Sequence, residues 1–83
     1  MSARVTLYSR PGCHLCDDAR RVIERVCADL GEQYDEISID DDPQLRDRYG
    51  EEIPVTLVDG RQHDFWRVDE GRLRAALGAA PRR

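Results

Sequence analysis

Residues 4–30 read RVTLYSRPGCHLCDDARRVIERVCADL, and the spacing of the apolar residues changes within this segment. Residues 4–8 are rich in β-branched and aromatic side chains, which predicts a strand of four or five residues. The sequence SRPG then breaks the strand. Over residues 13–30 the apolar side chains recur every three or four positions, which predicts an amphipathic helix that ends at Gly31.

The rest of the chain alternates strands and short helices. The patterns predict a strand at 33–39, a helix at 43–49, strands at 53–58 and 61–66, a last helix capped by Asp69, and a frayed tail at 79–83. We interpret the acidic residues before Pro43 as a helix cap, and Asp59-Gly60 as a hairpin turn. The order strand, helix, strand, helix, strand, strand, helix predicts an α/β three-layer sandwich with a four-stranded mixed sheet.

Length and composition restrict the classes of protein that the chain can represent. Its 83 residues predict a single domain at 1–83, with 40% hydrophobic and 36% charged residues and a net charge of −4. This balance is too apolar for a disordered acidic chain and offers no membrane span. The acidic charge argues against a general nucleic-acid binder. The N-terminus has no apolar signal-peptide core, and we expect a cytoplasmic protein.

The motif that carries chemistry is Cys13-His14-Leu15-Cys16, which follows a predicted strand and begins a predicted helix. In this context the spacing is typical of a dithiol redox site. The free backbone amides and partial positive charge of the helix start stabilise a thiolate at Cys13. Cys16 lies one turn further on, where it can attack a mixed disulfide formed at Cys13. We therefore predict Cys13 as the exposed nucleophile and Cys16 as the buried resolving thiol.

The charges around the motif have opposite effects on that thiolate. Arg10 precedes Cys13 by three residues and would stabilise it, as would a protonated His14. Asp17 and Asp18 follow directly and oppose it by like-charge repulsion. We expect a moderately activated thiol, which suits a reducing or exchange role better than that of a strong oxidant.

Two cysteines at this spacing also form half of many zinc sites. A closed zinc site needs four ligands, and the remaining candidates are His14, Cys27 and His63. His14 is fixed between the two cysteines, whereas Cys27 lies three turns further along the helix, where we interpret it as a small buried residue. We interpret His63 as a surface histidine. A zinc site is therefore the weaker interpretation of the two cysteines, and we assign no metal ligand.

The cysteine loop and the later Ile53-Pro54-Val55 together resemble the glutaredoxin family, which has the thioredoxin fold. The resemblance covers about residues 4–77. It implies that Cys13 is the nucleophile, that Cys16 is the resolving thiol and that Pro54 is a cis-proline packed against the dithiol. It also implies that the backbone of Ile53 pairs with the substrate as a short added strand.

The resemblance extends to the substrate-binding residues, with one departure. It implies that Arg10 meets a carboxylate of glutathione and that Asp69, with the helix amides after it, holds part of the same molecule. Where the family carries a Gly-Gly pair before the last helix, this chain carries Trp66 and Arg67, which would crowd the approach. We expect Trp66 to be partly exposed near the site and to form a wall of a binding groove.

The activity implied by the motif and the resemblance is thiol–disulfide exchange. We expect reduction of a disulfide-bearing protein or of a glutathione mixed disulfide, with no bound cofactor and with glutathione as a co-substrate. The electron donor would be glutathione or a thioredoxin-reductase-type enzyme, as in electron transport and cell redox homeostasis. The alternative is a scaffold of the same fold that holds an iron–sulfur cluster or binds a partner without turnover.

Overall fold

The computed structural model describes residues 3–78, apart from the side chain of Phe65, and the predicted frayed tail at 79–83 lies outside them. The predicted order of strands and α-helices is confirmed. The elements are β1 (Val5–Ser9), α1 (His14–Leu30), β2 (Tyr34–Ser38), a 3₁₀ helix (Ile39–Asp41), α2 (Pro43–Tyr49), β3 (Val55–Val58), β4 (Arg61–Phe65) and α3 (Glu70–Gly78).

The sheet has the strand order β2-β1-β3-β4. β1 runs parallel to β2 and antiparallel to β3, and β3 runs antiparallel to β4. In the pair of β1 with β3, Tyr8 lies opposite Val55. The sheet is therefore mixed and four-stranded, as predicted. The last residues of β1 and the first residues of β3 lie side by side at the same end of its two central strands.

The two faces of the sheet are covered by different helices, which gives the predicted three layers. On one face the apolar side chains of β1 pack against α1 and α3, in a cluster formed by Val5, Leu7, Ala19, Ile23, Val26, Cys27, Val58, Leu73 and Leu77. On the other face the ring of Tyr8 lies 5.1 Å from the ring of Tyr49, which brings α2 against the sheet. This arrangement is the thioredoxin fold.

The ends of the helices follow the local chemistry of the sequence. Gly31 ends α1 with a φ of 70°, and its backbone N–H donates to the carbonyl of Cys27. Asp42 caps α2 by accepting hydrogen bonds from the backbone N–H groups of Gln44 and Leu45, with Pro43 at the first turn. The acidic run before α2 therefore contains a helix cap, as we interpreted it.

Several predicted strand boundaries are wrong by one or two residues, and three of them have a local explanation or a larger shift. The second strand ends at Ser38 rather than Ile39, because the hydroxyl of Ser38 accepts a hydrogen bond from the backbone of Asp40 and begins the 3₁₀ helix. Strand β3 begins at Val55, two residues later than predicted. Trp66 leaves β4 because its φ is 64°, outside the range of a strand.

None of the helices within residues 3–78 is both long enough and apolar enough to cross a bilayer.

Candidate functional site

The start of α1 holds the reactive motif. Cys13 is the N-cap residue, with φ −91° and ψ 112°, and its sulfur accepts a hydrogen bond of 3.2 Å from the backbone N–H of Cys16. Gly12, with a φ of 79°, turns the chain out of the loop and into the cap. The side chain of Cys13 is partly exposed. A backbone N–H of the first helical turn therefore points at a sulfur that solvent can reach.

Cys16 lies behind this sulfur and is fully buried. Burial raises the pKa of its thiol to about 12, and the hydrogen bond with the adjacent Cys13 sulfur acts in the same direction. The backbone amide of Arg10 and the charge of Arg20 act in the opposite direction but are smaller effects. Cys16 is therefore a protonated thiol at neutral pH, beside an accessible sulfur that it can attack once ionised.

A charged network that we did not predict lies beside the motif. Arg20 on α1 binds both carboxylate oxygens of Glu36 on β2, at 2.7 and 2.6 Å. The same guanidinium contacts the carboxylate of Asp17 at 2.8 Å. The buried Ser9 hydroxyl donates to Glu36 at 2.7 Å. Arg20 thus compensates one of the acidic residues that we expected to oppose a thiolate at Cys13.

Arg10, the predicted substrate-binding cation, lies in the loop between β1 and α1. Its side chain contacts the carboxylate of Asp40 at 3.2 Å, and both groups are more than a third exposed. An exposed pair of this kind is weak, so a substrate carboxylate can compete for the guanidinium. Its role in binding stays a prediction.

The Ile53-Pro54 peptide bond is cis, as the resemblance implies. Pro54 is fully buried and directly precedes Val55, which lies opposite Tyr8 in the sheet. The antiparallel register therefore puts Pro54 at the same end of the sheet as the cysteine loop, which follows β1. The carbonyl of Pro54 accepts a hydrogen bond of 2.8 Å from the backbone N–H of Trp66.

A groove of about 200 Å³ lies between the start of α1 and the segment before α3. It is lined by Leu15, Asp18, Ala19, Val22, Trp66, Arg67 and Val68. The indole of Trp66 is 51% exposed, and its Nε1–H donates to the carbonyl of Glu51 at 3.0 Å. The prediction that Trp66 is partly exposed and forms a groove wall is confirmed.

Asp69 caps α3, as predicted. Its Oδ1 accepts a hydrogen bond of 2.9 Å from the backbone N–H of Arg72, and its own N–H donates to Asp64 at 3.1 Å. The carboxylate therefore has a structural task in the helix start. The binding of a substrate group by Asp69 stays a prediction.

The interpretation of His63 as a surface histidine is wrong, because its side chain is only 13% exposed. Arg72 donates to the carbonyl of His63 at 3.3 Å, so the first turn of α3 folds over this part of β4.

Cys27 is buried, as we interpreted it. Within the described part of the chain, no three His, Cys, Asp or Glu side chains are grouped so that they could hold one metal ion.

Comparison with protein families and with known proteins agrees with this geometry. Residues 4–78 match the model of the glutaredoxin-like domain (DUF836). An uncharacterized protein of Mycobacterium tuberculosis is 39% identical, in a match that covers 89% of this chain and 81% of the relative. A glutaredoxin-like protein of Dictyostelium discoideum is 31% identical, in a match that covers 87% of this chain and 72% of that protein.

Solved structures are similar to this chain over most of its length. The X-ray structure of the structural genomics target XcR50 from X. campestris has a TM-score of 0.75 and 41% identity, and the match covers 93% of this chain and 99% of that one. A mutant thioredoxin from Halobacterium salinarum has a TM-score of 0.62 at 22% identity, over 88% of this chain and 69% of that one. The second likeness concerns the fold alone.

Proposed function

The chain belongs to the glutaredoxin-like domain family (DUF836), and from this premise we propose that it is a thiol–disulfide oxidoreductase. It would reduce disulfides of proteins, or mixed disulfides with glutathione, through Cys13 and Cys16. The observation that carries the proposal is the pairing of an accessible sulfur at a helix start with a buried, protonated thiol one turn further on.

The first step is attack by the Cys13 thiolate on one sulfur of the substrate disulfide. A bond forms between that sulfur and Cys13, the substrate S–S bond breaks, and the leaving thiolate takes a proton from solvent. The hydrogen bond from the Cys16 amide to the Cys13 sulfur supports the attacking thiolate. The protonated side chain of Cys16 does not compete with it for the substrate at this stage.

The second step is attack by Cys16 on the Cys13 sulfur. When Cys13 is in a mixed disulfide it has no negative charge, so two of the causes that raise the pKa of Cys16 are removed: the hydrogen bond to the Cys13 sulfur and the repulsion between the two sulfurs. Cys16 then loses its proton more readily. Its attack forms the Cys13–Cys16 disulfide and releases the second substrate thiolate, which is protonated, so two electrons pass to the substrate.

Substrate contacts beyond the dithiol are part of the same proposal. The backbone of Ile53, next to the buried Pro54, would pair with an extended substrate segment, and Arg10 would meet a substrate carboxylate. An external thiol donor, glutathione or a thioredoxin-reductase-type enzyme, returns the protein to its dithiol form. We expect no bound cofactor and a role in cell redox homeostasis in the cytoplasm.

Reduction of insulin or of a small aromatic disulfide tests the proposal. We expect Cys13→Ser to abolish turnover, because it removes the attacking sulfur, while Cys27→Ala serves as a control that removes a remote buried thiol. Full activity in Cys13→Ser would reject the proposal. A purified brown protein with charge-transfer absorbance, and no disulfide reduction, would instead support the iron–sulfur scaffold alternative.

A further inference from the structure

The groove between α1 and the segment before α3 has two large apolar side chains at its rim. Leu15 stands between the two cysteines of the motif and is 39% exposed, and Trp66 is 51% exposed. Both line the groove of about 200 Å³ between α1 and the segment before α3. Exposed apolar side chains that converge on one concave surface mark an interaction site rather than scattered surface residues.

Trp66 is held in place by its backbone as well as by its ring. Its φ of 64° lies in the left-handed region, where residues other than glycine are uncommon. The backbone N–H donates to the carbonyl of Pro54 at 2.8 Å, and the indole N–H donates to the carbonyl of Glu51 at 3.0 Å. A large residue held in this conformation, at a groove that also includes Leu15 of the cysteine motif, is typical of a functional constraint. The indole is a rigid anchor that loses little entropy on binding.

Two charged side chains line the groove, those of Asp18 and Arg67. Asp18 is engaged by Arg21 at 3.0 Å. Arg67 is exposed and makes no hydrogen bond or ion pair with any other residue in the range 3–78. The groove therefore places the exposed guanidinium of Arg67 next to an apolar surface, while its acidic residue, Asp18, already has a cation beside it. A partner with a carboxylate near an apolar side chain complements this surface.

We propose that Leu15, Trp66 and Arg67 select a disulfide-bearing protein whose reactive cysteine is flanked by a large apolar side chain and a carboxylate. The selection rests on the oxidoreductase activity proposed above and specifies its substrate class. The apolar side chain enters the groove between Leu15 and Trp66, and the carboxylate pairs with Arg67. Glutathione satisfies only part of this surface, because it has carboxylates but no apolar side chain beside its cysteine.

The test compares three disulfides under single-turnover conditions with the reduced 83-residue chain. One is the disulfide-linked dimer of a short peptide with Cys-Leu-Glu, the second is the same peptide with Cys-Ser-Gln, and the third is oxidised glutathione. Each rate is divided by the rate of dithiothreitol with the same disulfide, which removes the intrinsic reactivity of the substrate. We expect the Cys-Leu-Glu peptide to react about tenfold faster than either of the others, the scale set by one well-placed apolar contact.

Matched variants assign that preference to the groove. Trp66→Gly and Leu15→Ser should each remove most of it, and Trp66→Phe, which keeps an aromatic ring, should retain part of it. A Cys-Leu-Gln peptide measures how much of the preference comes from the glutamate of the substrate. Arg67→Gln should remove only this part, so that the variant reacts equally fast with the Cys-Leu-Glu and Cys-Leu-Gln peptides. The controls are Leu30→Ser, an apolar residue 41% exposed at the far end of α1, and Arg61→Gln on β4, and both should keep the full preference.

The outcomes separate this inference from the activity on which it rests. Equal normalised rates for all three disulfides, or a preference that persists in both Trp66→Gly and Leu15→Ser, would overturn the docking groove while the activity stands. A faster reaction with oxidised glutathione than with the Cys-Leu-Glu peptide would do the same. Reduction of the peptides by Cys13→Ser, or no reaction of the wild-type chain with any disulfide, would overturn both.

Discussion

The backbone amide of Cys16 donates a hydrogen bond to the sulfur of Cys13 across 3.2 Å. The residue that we propose to resolve the mixed disulfide with its side chain therefore also donates its backbone N–H to the sulfur that we propose as the nucleophile. Because the backbone contact does not depend on the side chain at position 16, the two contributions can be separated by substitution. This relationship, together with the burial of Cys16, makes the two cysteines unequal in reactivity before any substrate binds.

Alkylation of the reduced protein should reveal this inequality. Cys13 is partly exposed, whereas Cys16 is fully buried with its pKa raised to about 12 by burial and by the Cys13 sulfur. Burial also raises the pKa of Cys27. We expect iodoacetamide at pH 7.5 to label Cys13 alone, with Cys16 unlabelled up to about pH 10, as read by peptide mass spectrometry. Labelling of Cys16 at a rate equal to that of Cys13 would contradict this account.

Arg20 should influence the resolving step. Burial is the main cause of the raised pKa of Cys16, and the positive charge of Arg20 acts against it. Removal of that charge in Arg20→Gln should raise the pKa of Cys16 further and slow release of the substrate by roughly two- to fivefold. The first, mixed-disulfide step should change less.

The matched control for Arg20 is Arg21→Gln, the next residue on α1, whose side chain is 72% exposed and pairs with Asp18. Stopped-flow with a chromogenic disulfide resolves the two steps as separate phases. A slow second phase in both variants, or in neither, would show that the charge of Arg20 has no specific effect on Cys16.

The contact between Arg20 and Glu36 should make stability depend on pH. The Arg20 guanidinium, and to a lesser extent the Ser9 hydroxyl, hold the pKa of Glu36 below its ordinary value. Because the folded pKa is lowered, the stabilisation is complete above the ordinary pKa and is lost as the pH falls through the lowered one. At pH 7 we expect Glu36→Gln to lower the free energy of unfolding by about 1 kcal/mol.

Urea titrations of the wild-type chain and Glu36→Gln at pH 7 and pH 3 measure this difference. The difference between the two free energies should be smaller at pH 3 than at pH 7, because the wild-type carboxylate becomes protonated as the pH falls towards its lowered pKa. Asp35→Asn, an exposed residue on the same strand, is the control and should leave the pH profile nearly unchanged. A constant difference between wild type and Glu36→Gln at both pH values would exclude a charge effect.

Asp69 allows its capping role to be separated from its predicted binding role. Its Oδ1 accepts from the backbone of Arg72, so Asp69→Ala should cost about 1 kcal/mol of stability. Asp69→Asn keeps a capping oxygen without the charge and should remain near wild type in thermal melts. If Asn proves as destabilising as Ala, the capping interpretation is wrong. A rise in KM for oxidised glutathione in the stable Asp69→Asn variant would support the predicted contact with the substrate.

Sequence alone predicted those parts of the fold that local chemistry determines. The change of apolar period between β1 and α1, the caps at Asp42 and Asp69 and the stop at Gly31 depend on neighbouring residues, and the structure has all four features. The paired cysteines at a helix start were predicted for the same reason. These features require no knowledge of how distant segments pack.

Features that depend on contacts between distant segments were not predicted. The pairing of Arg20 with Glu36 joins α1 to β2 across 16 positions of sequence. The left-handed backbone of Trp66 is accompanied by hydrogen bonds to Glu51 and Pro54 on the other side of a hairpin. The visible signal was the resemblance to glutaredoxins, which implies a Gly-Gly pair near Trp66 and Arg67, since glycine marks a position where left-handed backbone is favoured.

The most direct test of the mechanism is the identity of the sulfur that first bonds to substrate. Cys16→Ser keeps the backbone amide that contacts Cys13 but lacks the resolving thiol, so a mixed disulfide should accumulate. Reaction of this variant with a peptide disulfide, followed by acid quench and peptide mapping, locates the adduct. We predict one peptide per chain, bound at Cys13. An adduct at Cys27, or no adduct under conditions in which the wild-type chain is oxidised, would contradict the proposed order of attack.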